Sequence, residues 1–466
     1  MPPAVRTRHT TTVSLPSDDG APLLPPPGRR VPLSPFDANW AALPPVCHVF
    51  LFPAPSSSPP LPFQDVAHAL KSSLSVVLPA FHPLAGELTY SPESRTAVSI
   101  ILAEDAYVAF VEAETELEFA RLVEERAEHE QDVVDVLRQL VPDIRRHELP
   151  APVMAAQVTE FVGGSGGIAV GVAVHHAAVD GHGLWRFIEM WAAAAGVQQG
   201  RVAGEPAPPV HDRSLVRFDG DEEVVAVFLR QLTPDLPRVS HLPKVVPTQD
   251  PSRECRPMLS RRTFTLPAST VRRLKQRLAA AAATGASSRT PPSTFAALAA
   301  HAWVSLARAS GFTDGGPMFA AFLADCRAHV SPPAPGSYAG NCVAPVMISL
   351  SGEEVAGADG PARAFLAIRE AVEEVRRDPL ADCGRWIAKF DDIPPGRTVV
   401  LVGSPRFPAY AVDFGFGTPA RVEKTSLNHD GEISLLTGRE AGSVQASVVI
   451  SSDKMPAFRE MFAADV

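Results

Sequence analysis

The chain is expected to fold as an α/β protein of two sheet-based lobes, and three observations carry that expectation. Strand-like apolar runs alternate with amphipathic stretches in both halves, the order that builds sheets covered by helices. A length of 466 residues exceeds one simple core and suggests two domains of about 200 residues each. Residues 199–257 then change character. Pro206, Pro208, Pro209, Pro234, Pro237, Pro243, Pro247 and Pro251 fall among charged residues there, with little periodicity apart from 222–232. Such a stretch reads as a crossover between lobes.

The elements follow in order. Residues 1–60 are Pro-rich but anchored by Phe36, Trp40, Phe50 and Phe52, and read as an extended wrap with one or two strands. From 64 to 80 the apolar residues Val66, Leu70, Leu74, Val77 and Leu78 keep helical spacing until Pro79. Strands are expected within 97–112, an amphipathic helix over 114–140, and strands over 153–162 and 168–174 with a glycine turn between. A helix is expected around 184–191. In the second half a strand at 262–266 precedes helices near 270–283 and 292–309, with strands near 317–325, 344–350 and 398–402.

Composition excludes several classes. Proline numbers 47, roughly twice its usual share, which rules out long coiled coils and helical repeat arrays. Net charge is −10 with no basic stripe, against a nucleic-acid binder. Cys47, Cys255, Cys326, Cys342 and Cys383 are odd in number and widely spaced. They fit neither a disulfide framework nor a CxxC metal pattern, and point to a reducing compartment. No apolar stretch is long enough for a membrane span, and no leader segment is legible. The expectation is a cytoplasmic, monomeric protein that meets neither membrane nor nucleic acid.

The chemistry-bearing stretch is His175-His176-Ala177-Ala178-Val179-Asp180-Gly181, where an apolar strand ends and a helix begins. Catalytic groups gather at such strand ends. Neighbouring strand residues point to opposite sides, so His175 and His176 do not readily serve one site. An imidazole there suits a general base, with Asp180 organising the loop. Packed histidines with an Asp-Gly turn are the plainer alternative. A metal site of His175, His176, Asp180 and His182 needs convergence that the alternation opposes. Gly163-Gly164-Ser165-Gly166-Gly167 matches a nucleophile elbow only in letters, because a strand follows it. Asp413-Phe414-Gly415 lacks the companions of a kinase magnesium motif.

Beyond these residues, the chain resembles the plant BAHD acyltransferases. His176-Ala177-Ala178-Val179-Asp180-Gly181 resembles their HxxxDG motif, and Asp413-Phe414-Gly415-Phe416-Gly417 their DFGWG motif, in the same order. Leu33-Ser34-Pro35-Phe36-Asp37 with Trp40, Phe81-His82-Pro83-Leu84-Ala85-Gly86, and Gly403-Ser404-Pro405-Arg406-Phe407 resemble further family segments. Tyr338-Ala339-Gly340-Asn341-Cys342 is similar to the YFGNC signature of the anthocyanin, flavonoid and phenolic glucoside clade, often malonyl-transferring. Ala339 and Phe416 depart from these patterns at aromatic packing positions.

The resemblance implies two chloramphenicol-acetyltransferase-like lobes, each a mixed sheet flanked by helices, with the active channel at their interface. It implies a division into 1–205 with about 413–439, a linker over 206–250, and 251–412 with about 440–466. Acyl-CoA, most readily malonyl-CoA, would be the co-substrate, no cofactor would be permanently bound, and the acceptor would be a glycosylated phenolic. A hydroxycinnamoyl donor is the alternative, and a catalytically silent binding relative the second. His176 would be the base, and Asp180 would hold its loop through an arginine, with Arg327 the candidate. Asp413, Gly415 and Gly417 would be structural. Lys275, beside Arg272, Arg273 and Arg277, and the helix start at Ser293-Thr294 are candidates for the coenzyme A phosphates. Arg406, Tyr338, Asn341 and Phe36 are candidates for the acyl and acceptor pocket, Arg406 as partner of a carboxylate.

Overall fold

A computed structural model of the chain describes residues 4–15, 28–54, 62–94, 96–124, 130–145, 147–164, 166–198, 207–239, 258–282, 291–390, 393–427 and 429–464. Cys255 lies outside these. The chain divides into two compact units. The first takes Met1–Pro243, Ser331–Cys342 and Tyr410–Ser426; the second takes Lys244–Val330, Val343–Ala409 and Leu427–Val466.

The described strands are numbered along the chain. The first nine are β1 (Arg6–Ser14), β2 (Arg30–Pro32), β3 (Val46–Pro53), β4 (Glu87–Tyr90), β5 (Val98–Ile101), β6 (Tyr107–Glu118), β7 (Ala151–Pro152), β8 (Met154–Gly163) and β9 (Gly167–Val174). Then follow β10 (Leu259–Leu266), β11 (Pro317–Asp325), β12 (Val343–Ser351), β13 (Thr398–Gly403), β14 (Arg421–Lys424), β15 (Glu432–Thr437) and β16 (Val444–Ser451).

In the first unit, β1-β6-β8-β9-β3-β14 form a sheet in that order, and β2-β5-β4-β7 a smaller one. Only β6 and β8 run parallel in the larger sheet. Helices Phe63–Val77 and Gly181–Gln198 pack together through Trp191. Its indole Nε1 donates to the Leu70 carbonyl and to Ser73 Oγ, both at 3.1 Å, satisfying the one polar atom of a fully buried side chain. Gly163 ends β8 and Gly167 opens antiparallel β9, with Ser165 outside the described residues, so a strand follows where a nucleophile elbow requires a helix.

The second unit carries β10-β16-β15-β13-β11-β12, again mixed, with parallel pairs β13–β15 and β11–β13. Its core is organised around the helix Thr294–Ala309, buried throughout from Ala296 to Ala307. Six alanines within that span favour helix and leave room for close neighbours.

Four expectations need correction. Residues 114–118 continue β6 rather than starting a helix, because Glu114, Thr115 and Glu118 pair with β8, and Glu114 also with β1. The helical part is Phe119–Val123 and, separately, Glu130–Gln139. Residues 432–437 are β15, paired with β13 and β16, so they belong to the second unit, and Ser331–Cys342 belongs to the first. The described part of the 206–250 stretch is structured within the first unit, with helix Asp221–Leu232 and a bridge from Val210 to Tyr338. The N-terminal segment holds three strands, β1 to β3, rather than one or two.

Candidate active site

The loop 175–180 links β9 to the helix Gly181–Gln198, and the alternation of the strand separates its two histidines. His175 is buried; its N–H donates to the Val153 carbonyl at 2.7 Å and its Nδ1 accepts from Ala177 N at 3.2 Å. His176 is half-buried and stacks on Trp40, with ring centroids 4.4 Å apart and planes at 22°. Its Nδ1 is enclosed without a hydrogen-bond partner among the described residues.

Asp180 is the N-cap of the following helix: Oδ1 accepts from Gly183 N at 3.0 Å, while its carbonyl accepts from Leu184 N at 2.9 Å. Oδ2 accepts from Cys342 N, also at 3.0 Å. One carboxylate thus fixes both the helix start and the 338–342 segment. Gly183 has no alternative there, since a Cβ would lie 2.2 Å from the Ala339 carbonyl oxygen.

Beneath the loop lies a buried polar network. Ser34 and Asp37 form a capping box around the short helix Pro35–Ala38. Asp37 is fully buried and accepts from Arg213 Nε at 3.2 Å and from Asn341 Nδ2 at 2.9 Å. Arg213 Nη2 donates onward to the Ala178 carbonyl at 2.7 Å, and Asn341 Nδ2 to the His176 carbonyl at 2.9 Å. Arg213 was not among the residues singled out from sequence, and Asp37 only as part of a motif. Phe36, Tyr338 and Asn341, expected along a pocket, are all fully buried. Asn341 meets His176 through its backbone, and Tyr338 lies under the Arg213 guanidinium, 5.9 Å from the ring centroid.

Electrostatics favour a neutral imidazole. Burial lowers the His176 pKa, and the Lys424 cation lowers it further; its own backbone dipole, the Asp180 charge and Asn341 oppose them. His48, in register with Lys424, is pushed down to about 3 by burial and then by Lys424. Burial also lowers His82 to about 4 and holds its neighbour His211 well below the usual range, with Arg213 adding to the effect. For Arg213, burial works against the charge, but Asp37 and Tyr338 more than offset it and raise the pKa.

The remaining candidates are scattered. Asp413 Oδ1 accepts from Gly415 N at 2.8 Å and Gly417 N at 2.9 Å. Both glycines have positive φ, 101° and 98°, so the motif winds around its own carboxylate. Phe414 packs edge-on against Phe50, Phe52 and Trp191, and Phe416 against Phe52. Arg327, buried in the second unit, donates Nη1 to Asp325 Oδ1 at 3.1 Å. Arg406 is exposed in the turn after β13.

In the second unit, Arg272 and Lys275 of helix Ala268–Ala282 line a cleft of about 480 Å³ with Pro292 and Thr294. Ser293 N-caps the next helix, its Oγ accepting from Ala296 N at 3.1 Å. Arg273 and Arg277 are exposed and not part of the cleft lining. Among the described residues no cluster of three His, Cys, Asp or Glu could hold a metal ion, and no helix is long and apolar enough to cross a membrane.

A half-buried histidine ending a strand, a helix-capping aspartate four residues on, and two mixed sheets in separate units define a two-lobed α/β transferase. The family model described as the Transferase family matches residues 21–465, and the chain belongs to that family, the plant BAHD acyl-CoA acyltransferases. It is 28% identical over 441 residues to phenolic glucoside malonyltransferase 1 of Arabidopsis thaliana, covering 91% of both chains. It is also 28% identical over 450 residues to coumaroyl-CoA:anthocyanidin 3-O-glucoside-6''-O-coumaroyltransferase 2 of the same plant, covering 92% of this chain and 91% of the relative. The crystal structure of vinorine synthase aligns with a TM-score of 0.70 at 20% identity, over 99% of this chain and 98% of that one.

Proposed function

We propose that the protein transfers an acyl group, malonyl in the first instance, from acyl-CoA to a hydroxyl of a phenolic or flavonoid glucoside. The half-buried His176 stacked on Trp40, its pKa lowered by burial, is the observation that carries the reading. Its imidazole takes the proton of the acceptor hydroxyl as the oxygen attacks the thioester carbonyl. The tetrahedral adduct then expels the coenzyme A thiolate, which recovers the proton, so no covalent enzyme intermediate forms. Asp180 keeps the loop in place, with Arg327 as its proposed ionic partner and a double-mutant cycle as the check. Asp413, Gly415 and Gly417 serve the fold.

Coenzyme A phosphates are assigned to the Lys275 cleft, with Ser293 and Thr294 at the adjoining helix start. Arg406 is assigned to a carboxylate of donor or acceptor, with Tyr338, Asn341 and Phe36 shaping the site from within. A glucoside acceptor is supported by both relatives, whose names share it; the YAGNC segment supports malonyl. The enzyme is placed in the cytoplasm as a monomer. Thiol release is to be measured over a panel of acyl-CoAs with wild type and His176→Ala. Release from malonyl-CoA that needs His176 supports the reading. A coumaroyl-CoA preference would transfer the assignment to the aromatic donors, and release no higher than the variant's with every donor would leave a silent binding relative.

A further inference from the structure

We propose that Asn341 and Arg213, joined through the Asp37 carboxylate, are positioning residues for His176. The inference rests on the reading of His176 as the base. Three segments distant in sequence meet under one loop: the capping box at 34–37, Arg213, and the 338–342 segment. Two side chains bond the loop's carbonyls to this network, Asn341 to His176 and Arg213 to Ala178. Asp37 holds both donors. It also accepts from Asn341 N at 3.3 Å and from Ser34 Oγ at 2.7 Å, so its charge is met by fixed dipoles on several sides. Arg213 is further pinned by donating Nη1 to the His211 carbonyl at 3.3 Å.

The geometry leaves little slack. A Cβ on Gly340 would stand 2.7 Å from the Arg213 guanidinium carbon and 2.5 Å from the Tyr338 hydroxyl, so the 338–342 segment is pressed directly onto the arginine. Asp180 ties the same segment to the loop's other end through Cys342 N. His176 therefore sits in a loop held at both ends and at two carbonyls between. None of these groups needs to touch substrate; their effect is on where the imidazole stands.

The test is Asn341→Ala, with Asn341→Ser as a second variant that returns a small polar group. A base displaced by about 1 Å can cost about 100-fold in rate, so kcat is expected to fall between about tenfold and 100-fold with KM for acyl-CoA held within about twofold. The lower inflection of the pH profile of kcat/KM should move downward, because the Asn341 amide that helps to raise the imidazole pKa is gone. A kcat equal to wild type, or a loss that only tracks the folded fraction with the inflection unmoved, overturns the proposal. If Asn341→Ala fails to fold, Asn341→Ser is judged by the same two readouts. His176→Ala measured alongside separates the two ideas: wild-type turnover there removes the base, whereas wild-type turnover in the Asn341 variants alone removes only the positioning.

Discussion

The His176 loop and the Lys275 cleft handle charge in opposite ways. Under the loop, Asp37 and Arg213 are almost wholly inaccessible, and each is held by hydrogen bonds to defined atoms. In the cleft, Lys275 is half-buried and Arg272 exposed, on a helix whose other basic residues face water. Buried ion pairs are costly to assemble and severe to break, so they suit a task in which one side chain must stand still. Exposed cations contribute little individually and yield to salt, which suits capture of a multiply charged ligand.

Breaking the buried side should have the largest effect. Asp37→Ala leaves the Arg213 charge without its counter-ion, and denaturant unfolding should show a loss of about 3–5 kcal/mol. Acid should act in the same direction. His48 and His82 stay neutral in the folded state down to about 3 and about 4, whereas an unfolded imidazole takes a proton near its ordinary value. Stability is therefore full above that value and falls as pH drops toward the folded pKa, by about 2 kcal/mol per histidine at pH 5. Denaturation at pH 7 and pH 5 checks the sign, and His82→Phe should flatten the slope. Gly183→Ala drives a methyl into the Ala339 carbonyl and should cost about 1–3 kcal/mol. On the exposed side, Lys275→Ala should raise KM for acyl-CoA by about two- to fivefold with kcat unchanged, and the difference should shrink in high salt. Equal KM values would remove Lys275 from the donor site.

What sequence could reveal follows the same divide. His176, Asp180 and the Asp413 turn were legible because each lies in a contiguous run whose backbone role is local. The capping box of Ser34 and Asp37 is local too, but 33–37 reads in sequence only as a family segment within an extended wrap. Arg213 was not legible, for it stands in a Pro-rich stretch with little periodicity around it, and its distant partners are residues 37 and 178. The extension of β6 was hidden for a related reason. The glutamates from 114 onward read as a helix surface, yet Glu114 pairs with Arg8 of β1. Partners supplied by other strands leave no local trace. The burial of Tyr338 and Asn341 was missed likewise, because an aromatic and an amide in a short motif look alike whether they line a pocket or support one.

The most direct test is thiol release from malonyl-CoA, with a phenolic glucoside as acceptor, by wild type and His176→Ala at equal folded concentration. General-base catalysis predicts a fall of about 10²–10⁴-fold, with KM for the donor little changed. Turnover by His176→Ala at the wild-type rate would contradict the assignment of the chemistry to this loop.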